Sequence, residues 1–164
     1  MDGFQRDLVD LLPRLRRMAR VITGPGADAD DLVQTAIERA LRSRAQWSPG
    51  TRLDSWMFRI MKNAWIDETR GRTRSGRVFS EEGEVEQVAD RSIASMETRL
   101  EASAAERALE ALPEDQRLAV ALVLVEGLSY REAAEALDIP MGTLTSRLVR
   151  GRTALVAQLD GMDA

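Results

Sequence analysis

The sequence predicts an all-α protein of two small helical domains joined by a flexible linker. Three observations carry this. Apolar residues recur at intervals of three and four from Phe4 to about Arg70, and again from Ala105 onward, the spacing of amphipathic helices. Between these regions the chain turns Glu-rich and polar from Ser80 to about Glu101, with too few large apolar side chains to bury a core. Leu128–Leu155 then carries the start and stop signals of two successive short helices. A chain of 164 residues has room for two such domains. The boundaries read as 1–79, a linker over 80–103, and 104–164.

Taken in order, Leu8, Leu11, Leu12, Leu15, Met18, Ala19 and Ile22 place a helix over Phe4–Thr23, ended by Gly24-Pro25-Gly26. Asp28, Asp30 and Asp31 open the second helix, where carboxylates favour the positive end of the dipole. It runs to about Ser43 with Leu32, Ala36, Ile37, Ala40 and Leu41 inward. After a turn at Trp47–Thr51, a third helix spans Leu53 to about Arg70. Its apolar set is Leu53, Trp56, Met57, Ile60, Met61, Ala64 and Trp65, and its other side shows Arg59, Lys62, Asn63, Asp67 and Arg70. Asn63 has no capping role in mid-helix, which suits a polar task, with a solvated side chain as the default. Arg70, Arg72, Arg74 and Arg77, with interspersed Gly, Thr and Ser, read as a flexible phosphate-seeking strip.

In the second half, Ala105, Ala108, Leu109 and Leu112 predict one helix. Pro113 opens the next, whose buried run is Leu118 and Val120–Val125, closed by Gly127. Ser129 and Glu132 form a capping box that starts another helix. Pro140 ends that helix, because it disfavours helical geometry at Ile139, and suits the first position of a new one. In the last helix Met141, Leu144, Leu148 and Leu155 keep one face apolar, with Thr143, Ser146, Arg147 and Arg150 opposite. Two short helices with a tight turn and a cationic, hydroxyl-bearing outer face match a major-groove reader, although solvated arginines on a helical hairpin give the same pattern.

Composition narrows the chemistry. The chain has no cysteine and no histidine, which excludes disulfides, Cys/His zinc sites and catalysis by a His base or Cys nucleophile. The clustered aspartates lack the spacing and terminal Glu of a calcium loop, so neither metal nor cofactor is expected. No stretch approaches a membrane span and the N-terminus carries no signal-peptide pattern, so a cytoplasmic protein is expected. A formal net charge of −4 argues against a protein that coats nucleic acid. The charge is unevenly spread, however. Residues 1–79 are net +5, residues 80–110 net −6 and residues 111–164 net −3.

Both halves resemble one family, the extracytoplasmic-function, or group IV, sigma factors of bacterial RNA polymerase within the sigma-70 family. Asp28–Gln34, followed by Ala36, Glu38 and Ala40-Leu41, looks like the polymerase-binding part of region 2. Leu53–Ile60 with Asn63, Asp67 and Arg70 looks like the melting and minus-ten part. Ala111–Arg117, Glu126–Tyr130 and Ile139–Leu148 with Arg150 and Arg152 look like region 4. The resemblance covers roughly residues 8–78 and 104–158.

It implies a sigma-2 domain and a sigma-4 domain, with an acidic linker that threads a basic channel of polymerase. It implies no enzyme, but a subunit that binds core RNA polymerase and promoter DNA, is a monomer when free, and commonly has an anti-sigma partner. By resemblance Asp31, Leu32, Val33 and Gln34 bind core polymerase. Trp56, Arg59, Lys62, Asn63 and Arg70 engage the minus-ten element, with Asn63 at the pocket for a flipped base. Thr145, Ser146, Val149 and Arg150 face minus-thirty-five bases, while Thr143, Arg147 and Arg152 serve phosphate or packing. Two positions depart from the pattern: Thr145 stands where many relatives carry Lys or Arg, and Gly151 replaces a common Ala. Gly151 is expected to weaken its helix by about 1 kcal/mol relative to Ala. A sigma-like decoy for an anti-sigma protein would have lost the DNA-facing residues that remain in this sequence. A stand-alone helix-turn-helix regulator leaves residues 28–70 unexplained.

Overall fold

The computed structural model describes residues 1–24, 26–75 and 104–163. Most of the acidic stretch, Arg77 of the basic tail, and Pro25 lie outside the described residues. Every regular element among the described residues is helical.

α1 spans Gly3–Thr23 and begins with a capping box that the apolar pattern did not reveal. The Gln5 amide donates to the Asp2 carboxylate, and the Gln5 side chain accepts from the Asp2 amide. Gly24 ends the helix with φ of 87°, a left-handed geometry that glycine adopts without a Cβ penalty. α2 covers Ala27–Arg42 and α3 covers Leu53–Ser75, with a short 3-10 turn at Arg44–Gln46 between them. α3 thus runs past Arg70, and the backbone of Arg72 and Arg74 is helical where a flexible strip was expected. α1, α2 and α3 pack on one another through Leu15, Met18, Leu32, Ala36, Met57 and Met61. Leu41 is exposed rather than inward, whereas Phe58, absent from the predicted stripe, is fully buried. α3 is covered on more than one side, so a single apolar stripe under-describes it.

The second group comprises α4 (Ala104–Glu110), α5 (Glu114–Val120), α6 (Tyr130–Leu137) and α7 (Met141–Asp163). The capping box at α6 forms as the sequence requires: the Glu132 amide donates to Ser129 Oγ at 3.0 Å and the Ser129 amide donates to Glu132 Oε1 at 2.8 Å. Asp138, with φ of 55°, closes α6 in the left-handed region, and Pro140 lies just ahead of α7. Ala105 and Met141 are exposed, so neither belongs to the apolar face assigned to it.

The predicted buried run to Val125 also fails, for a definite reason. α5 continues as a π-helical turn over Ala121–Val125, in which the Glu126 amide donates to the Ala121 carbonyl five residues back. Helical phase from Leu118, Ala121 and Leu122 would bury Val125. The wider turn slips that phase, leaving Leu124 and Val125 exposed and turning Glu126 inward to 6% exposure.

Gly151 reverses its expectation as well. A Cβ at this position would sit 2.6 Å from Val120 Cγ2 and 3.2 Å from the Gln116 carbonyl oxygen, so the close approach of α7 to α5 requires glycine. Gly151→Ala is therefore expected to destabilise the protein. Overpacking costs roughly 1–3 kcal/mol, against a gain of about 1 kcal/mol in helix propensity. A denaturation midpoint that rises in this variant would refute the packing account.

The two helical groups are in contact. α3 packs against α6 and α1 against α5, and buried side chains from both groups form one continuous cluster. Arg117 of α5 donates to the Val21 carbonyl near the end of α1 at 2.8 Å. Beside it lies an ion cluster. Glu126 accepts from Arg14 Nε at 2.9 Å and from Arg17 Nε at 2.8 Å. Asp54 accepts from Arg14 Nη2 at 2.8 Å and from Arg52 Nη2 at 2.7 Å. Arg52 Nη1 also reaches Glu132 Oε1 and the Gly127 carbonyl, each at 3.2 Å.

Burial alone would raise the Asp54 carboxyl, but hydrogen bonds from Arg52, Arg14 and the Ser55 amide outweigh it and hold Asp54 below its ordinary range. Hydrogen bonding to the Ser129 amide lowers Glu132 in the same sense, assisted by Arg52. Both folded pKa values are depressed, so their stabilisation is complete above the unfolded value of about 4 and is lost as pH falls through the folded values. Stability should accordingly be flat in these two groups near neutrality and decline below about pH 4. In Asp54→Asn the acid-side slope of unfolding free energy should become shallower, and an unchanged slope would exclude Asp54 as its source.

Candidate nucleic-acid interface

Two helices carry the residues that sequence reasoning assigned to DNA. On α3, Arg59, Asn63 and Arg70 are exposed, and their offsets of four and seven residues align them along one face. Lys62 flanks that face but is half-buried, with its Nζ 4.0 Å from Glu114 of α5. Trp56, seven residues before Asn63 and so on the same side of the helix, is half-buried, its ring 6.2 Å from Phe4 in an edge-on contact at the core margin. Trp65 is likewise half-buried against the core. Asp67 is engaged by Arg39 of α2 at 2.9 Å, which ties α3 to α2 beside the exposed face.

On α7 the division between packing and presentation is sharp. Leu144 and Leu148 are fully buried and Gly151 meets α5, so the helix cannot rotate about its axis without losing that fit. At about 100° per residue, Thr145, Ser146, Val149 and Arg150 share the opposite side. Thr145, Val149 and Arg150 are exposed, and Val149 is 58% exposed although apolar. Arg150 Nη2 donates to Ser146 Oγ at 2.8 Å, which restrains the guanidinium over the outward face. Thr145 donates its hydroxyl to the Met141 carbonyl at 2.9 Å, leaving its oxygen free to accept. Arg152 is exposed on one flank. Arg147, on the other, lies 3.7 Å from Asp115, and Thr143 is half-buried.

The residues assigned to polymerase binding divide differently. Asp31 and Gln34 are exposed on α2. Leu32 is wholly buried, so it holds α2 to the core and has no surface to offer a partner, which corrects its assignment. Val33 is 6% exposed and contributes only to the floor of a shallow groove between α1 and α2, alongside Leu12, Arg16 and Ile37.

The ion cluster of Arg14, Arg17, Arg52, Asp54 and Glu126 escaped the sequence pattern. The one local signal was a glutamate, Glu126, placed directly after an apolar run and before Gly127. Its arginine partners lie more than a hundred residues away in sequence, beyond the reach of any local pattern.

Comparison with known proteins accords with this arrangement. Residues 8–75 match the family described as Sigma-70 region 2, and residues 102–155 match Sigma-70, region 4. The chain is 35% identical over 158 residues to the ECF RNA polymerase sigma factor EcfG of Rhodopseudomonas palustris (strain TIE-1), covering 96% of this chain and 86% of that one. Among solved structures it superposes on the sigma factor RpoE in complex with the anti-sigma factor NepR from Bartonella quintana. The TM-score is 0.73 with 25% identity, over 98% of both chains. CnrH in complex with the cytosolic domain of CnrY gives a TM-score of 0.59 at 27% identity, covering 97% and 91% of the two chains. The exposed polar face of α3, the outward face of α7 and both family matches converge: the chain belongs to the extracytoplasmic-function sigma factors of the sigma-70 family, alternative sigma factors that direct promoter-specific transcription initiation.

Proposed function

We propose that the two helical groups divide promoter recognition between them, residues 1–79 serving the minus-ten element and core RNA polymerase, and residues 104–164 the minus-thirty-five element, with 80–103 as the linker. The observation that carries this reading is the outward face of α7. A helix whose inward side is locked by Leu144, Leu148 and Gly151 presents Thr145, Val149 and Arg150 to solvent at fixed orientation.

In the minus-thirty-five unit, Arg150 is the base-reading cation, Thr145, Ser146 and Val149 read beside it, and Thr143, Arg147 and Arg152 serve backbone contact or packing. In the minus-ten unit, Asn63 offers its amide to an extruded base, a geometry that permits two hydrogen bonds to a base edge. Arg59, Lys62 and Arg70 hold phosphates, and Trp56 braces the helix they stand on. Asp31 and Gln34 contact polymerase, with Val33 in the groove floor. Opening DNA by strand capture requires no bond chemistry, so the protein is not an enzyme and uses neither metal nor cofactor. It acts in the cytoplasm as a monomer when free, and an anti-sigma factor is its further partner, by likeness to the complexed relatives.

The deciding assay is run-off transcription with purified core polymerase on genomic promoters. Promoter-specific transcripts that depend on this chain are expected, and their absence from every promoter would refute the reading. Within that assay Asn63→Ala should reduce discrimination among minus-ten sequences while leaving minus-thirty-five preference intact. An unchanged minus-ten preference would remove Asn63 from the base pocket.

A further inference from the structure

The outward side of α7 is divided lengthwise by chemistry. At about 100° per residue, Thr145 and Val149 stand one turn apart on one half, and Ser146 and Arg150 stand one turn apart on the other. The polar half is tied together, because Arg150 Nη2 donates to Ser146 Oγ at 2.8 Å. The other half is more apolar than its residue names suggest. Thr145 spends its hydroxyl hydrogen on the Met141 carbonyl at 2.9 Å, and Thr153, one turn beyond Val149, spends its own on the Val149 carbonyl at 3.0 Å. A threonine whose hydroxyl is turned back along its own helix leaves its methyl as the outer group.

Methyl groups of Thr145, Val149 and Thr153 therefore succeed one another at offsets of four residues, about 6 Å apart along the axis. All three residues are exposed. Val149 gains little from the protein at 58% exposure, and a β-branched side chain is a weaker helix former than the Gln or Lys that would suit a solvated site.

In the major groove an outward methyl has a definite complement. Thymine alone among the four bases displays a methyl there, which apolar side chains contact, whereas guanine offers two acceptors to a guanidinium. A separation of about 6 Å between Thr145 and Val149 matches roughly two base-pair steps of about 3.4 Å. Charge favours the same division of labour. Residues 111–164 are net −3, so general attraction to phosphate is weak there and discrimination falls on base edges.

We propose that Thr145 and Val149 form a methyl-reading stripe that selects thymine at one or two positions of the minus-thirty-five element, beside a guanine taken by Arg150. This selection rests on the proposed role of α7 at that element. The departure at Thr145 thereby acquires a function: where a Lys or Arg would seek phosphate or guanine, a methyl seeks thymine.

Polymerase carrying this chain is used to select promoter duplexes randomised across the minus-thirty-five region, and enrichment of guanine close to thymine is expected. Replacing an enriched thymine with deoxyuridine removes only the base methyl, and should weaken the wild-type complex about fourfold, the value of one buried methyl group. Val149→Ala shortens an exposed side chain, and Thr145→Ser keeps the hydroxyl that bonds Met141 while deleting the methyl. In whichever variant faces that base, deoxyuridine should have almost no further effect, the signature of two groups that act on each other. In Arg150→Ala the fourfold penalty should persist. An element enriched only in G·C pairs, equal affinity for thymine and uracil duplexes, or a uracil penalty undiminished in both variants would overturn the stripe while leaving α7 as the reader. A selection that enriches no minus-thirty-five sequence would count against that role of α7, and the stripe would fall with it.

Discussion

Leu148→Ala should destabilise the protein by about 2–5 kcal/mol, the range for deleting a fully buried leucine and leaving a cavity. Leu148 is 1% exposed and lies between Leu144 and Gly151 on the inward side of α7. The effect should appear as a lowered denaturation midpoint with an unchanged slope. The neighbouring Val149→Ala, at a solvent-facing position, should change stability by no more than about 0.5 kcal/mol. Comparable losses in the two variants would mean that α7 does not turn Leu148 inward and Val149 outward. The contrast therefore tests the rotational setting of α7 independently of any DNA measurement.

Arg150→Ala should weaken binding at the minus-thirty-five element by about 1–3 kcal/mol and relax base preference there, the cost of losing the bidentate base contact proposed for it. Its stability should be nearly unchanged, because Arg150 is exposed and hydrogen-bonds Ser146 on the same helix. The measurement is promoter affinity of the polymerase complex across substituted minus-thirty-five sequences. A uniform loss for all sequences would reassign Arg150 to phosphate. Ser146→Ala should produce a smaller loss of the same kind, because it removes the hydroxyl that restrains the guanidinium at 2.8 Å.

Local sequence logic reached the helices and their ends wherever the cause is local. The Ser129–Glu132 box depends on four consecutive residues, and Asn63 and Arg150 are exposed where their positions along a helix predicted. It failed where the cause is a neighbour distant in sequence. Gly151 reads as a weak helix residue until Val120 is seen 2.6 Å from its missing Cβ. Phe58 falls outside the α3 stripe but is buried, with the Arg14 guanidinium 5.7 Å from its ring centre. Periodicity turned Leu32 inward while the resemblance gave it to polymerase, and its complete burial bears out the periodicity.

The sequence by itself determined an all-α chain, the position of its main helices, the family to which both halves belong, and which residues stand on polar faces. These follow from periodicity, caps and motifs, which are properties of adjacent residues. Tertiary structure alone decided that the two helical groups meet, that a π-helical turn rotates Glu126 into their interface, and that arginines more than a hundred residues earlier receive it. A buried charge is tolerated only where the fold delivers opposite charges to it, and that delivery depends on how distant helices pack.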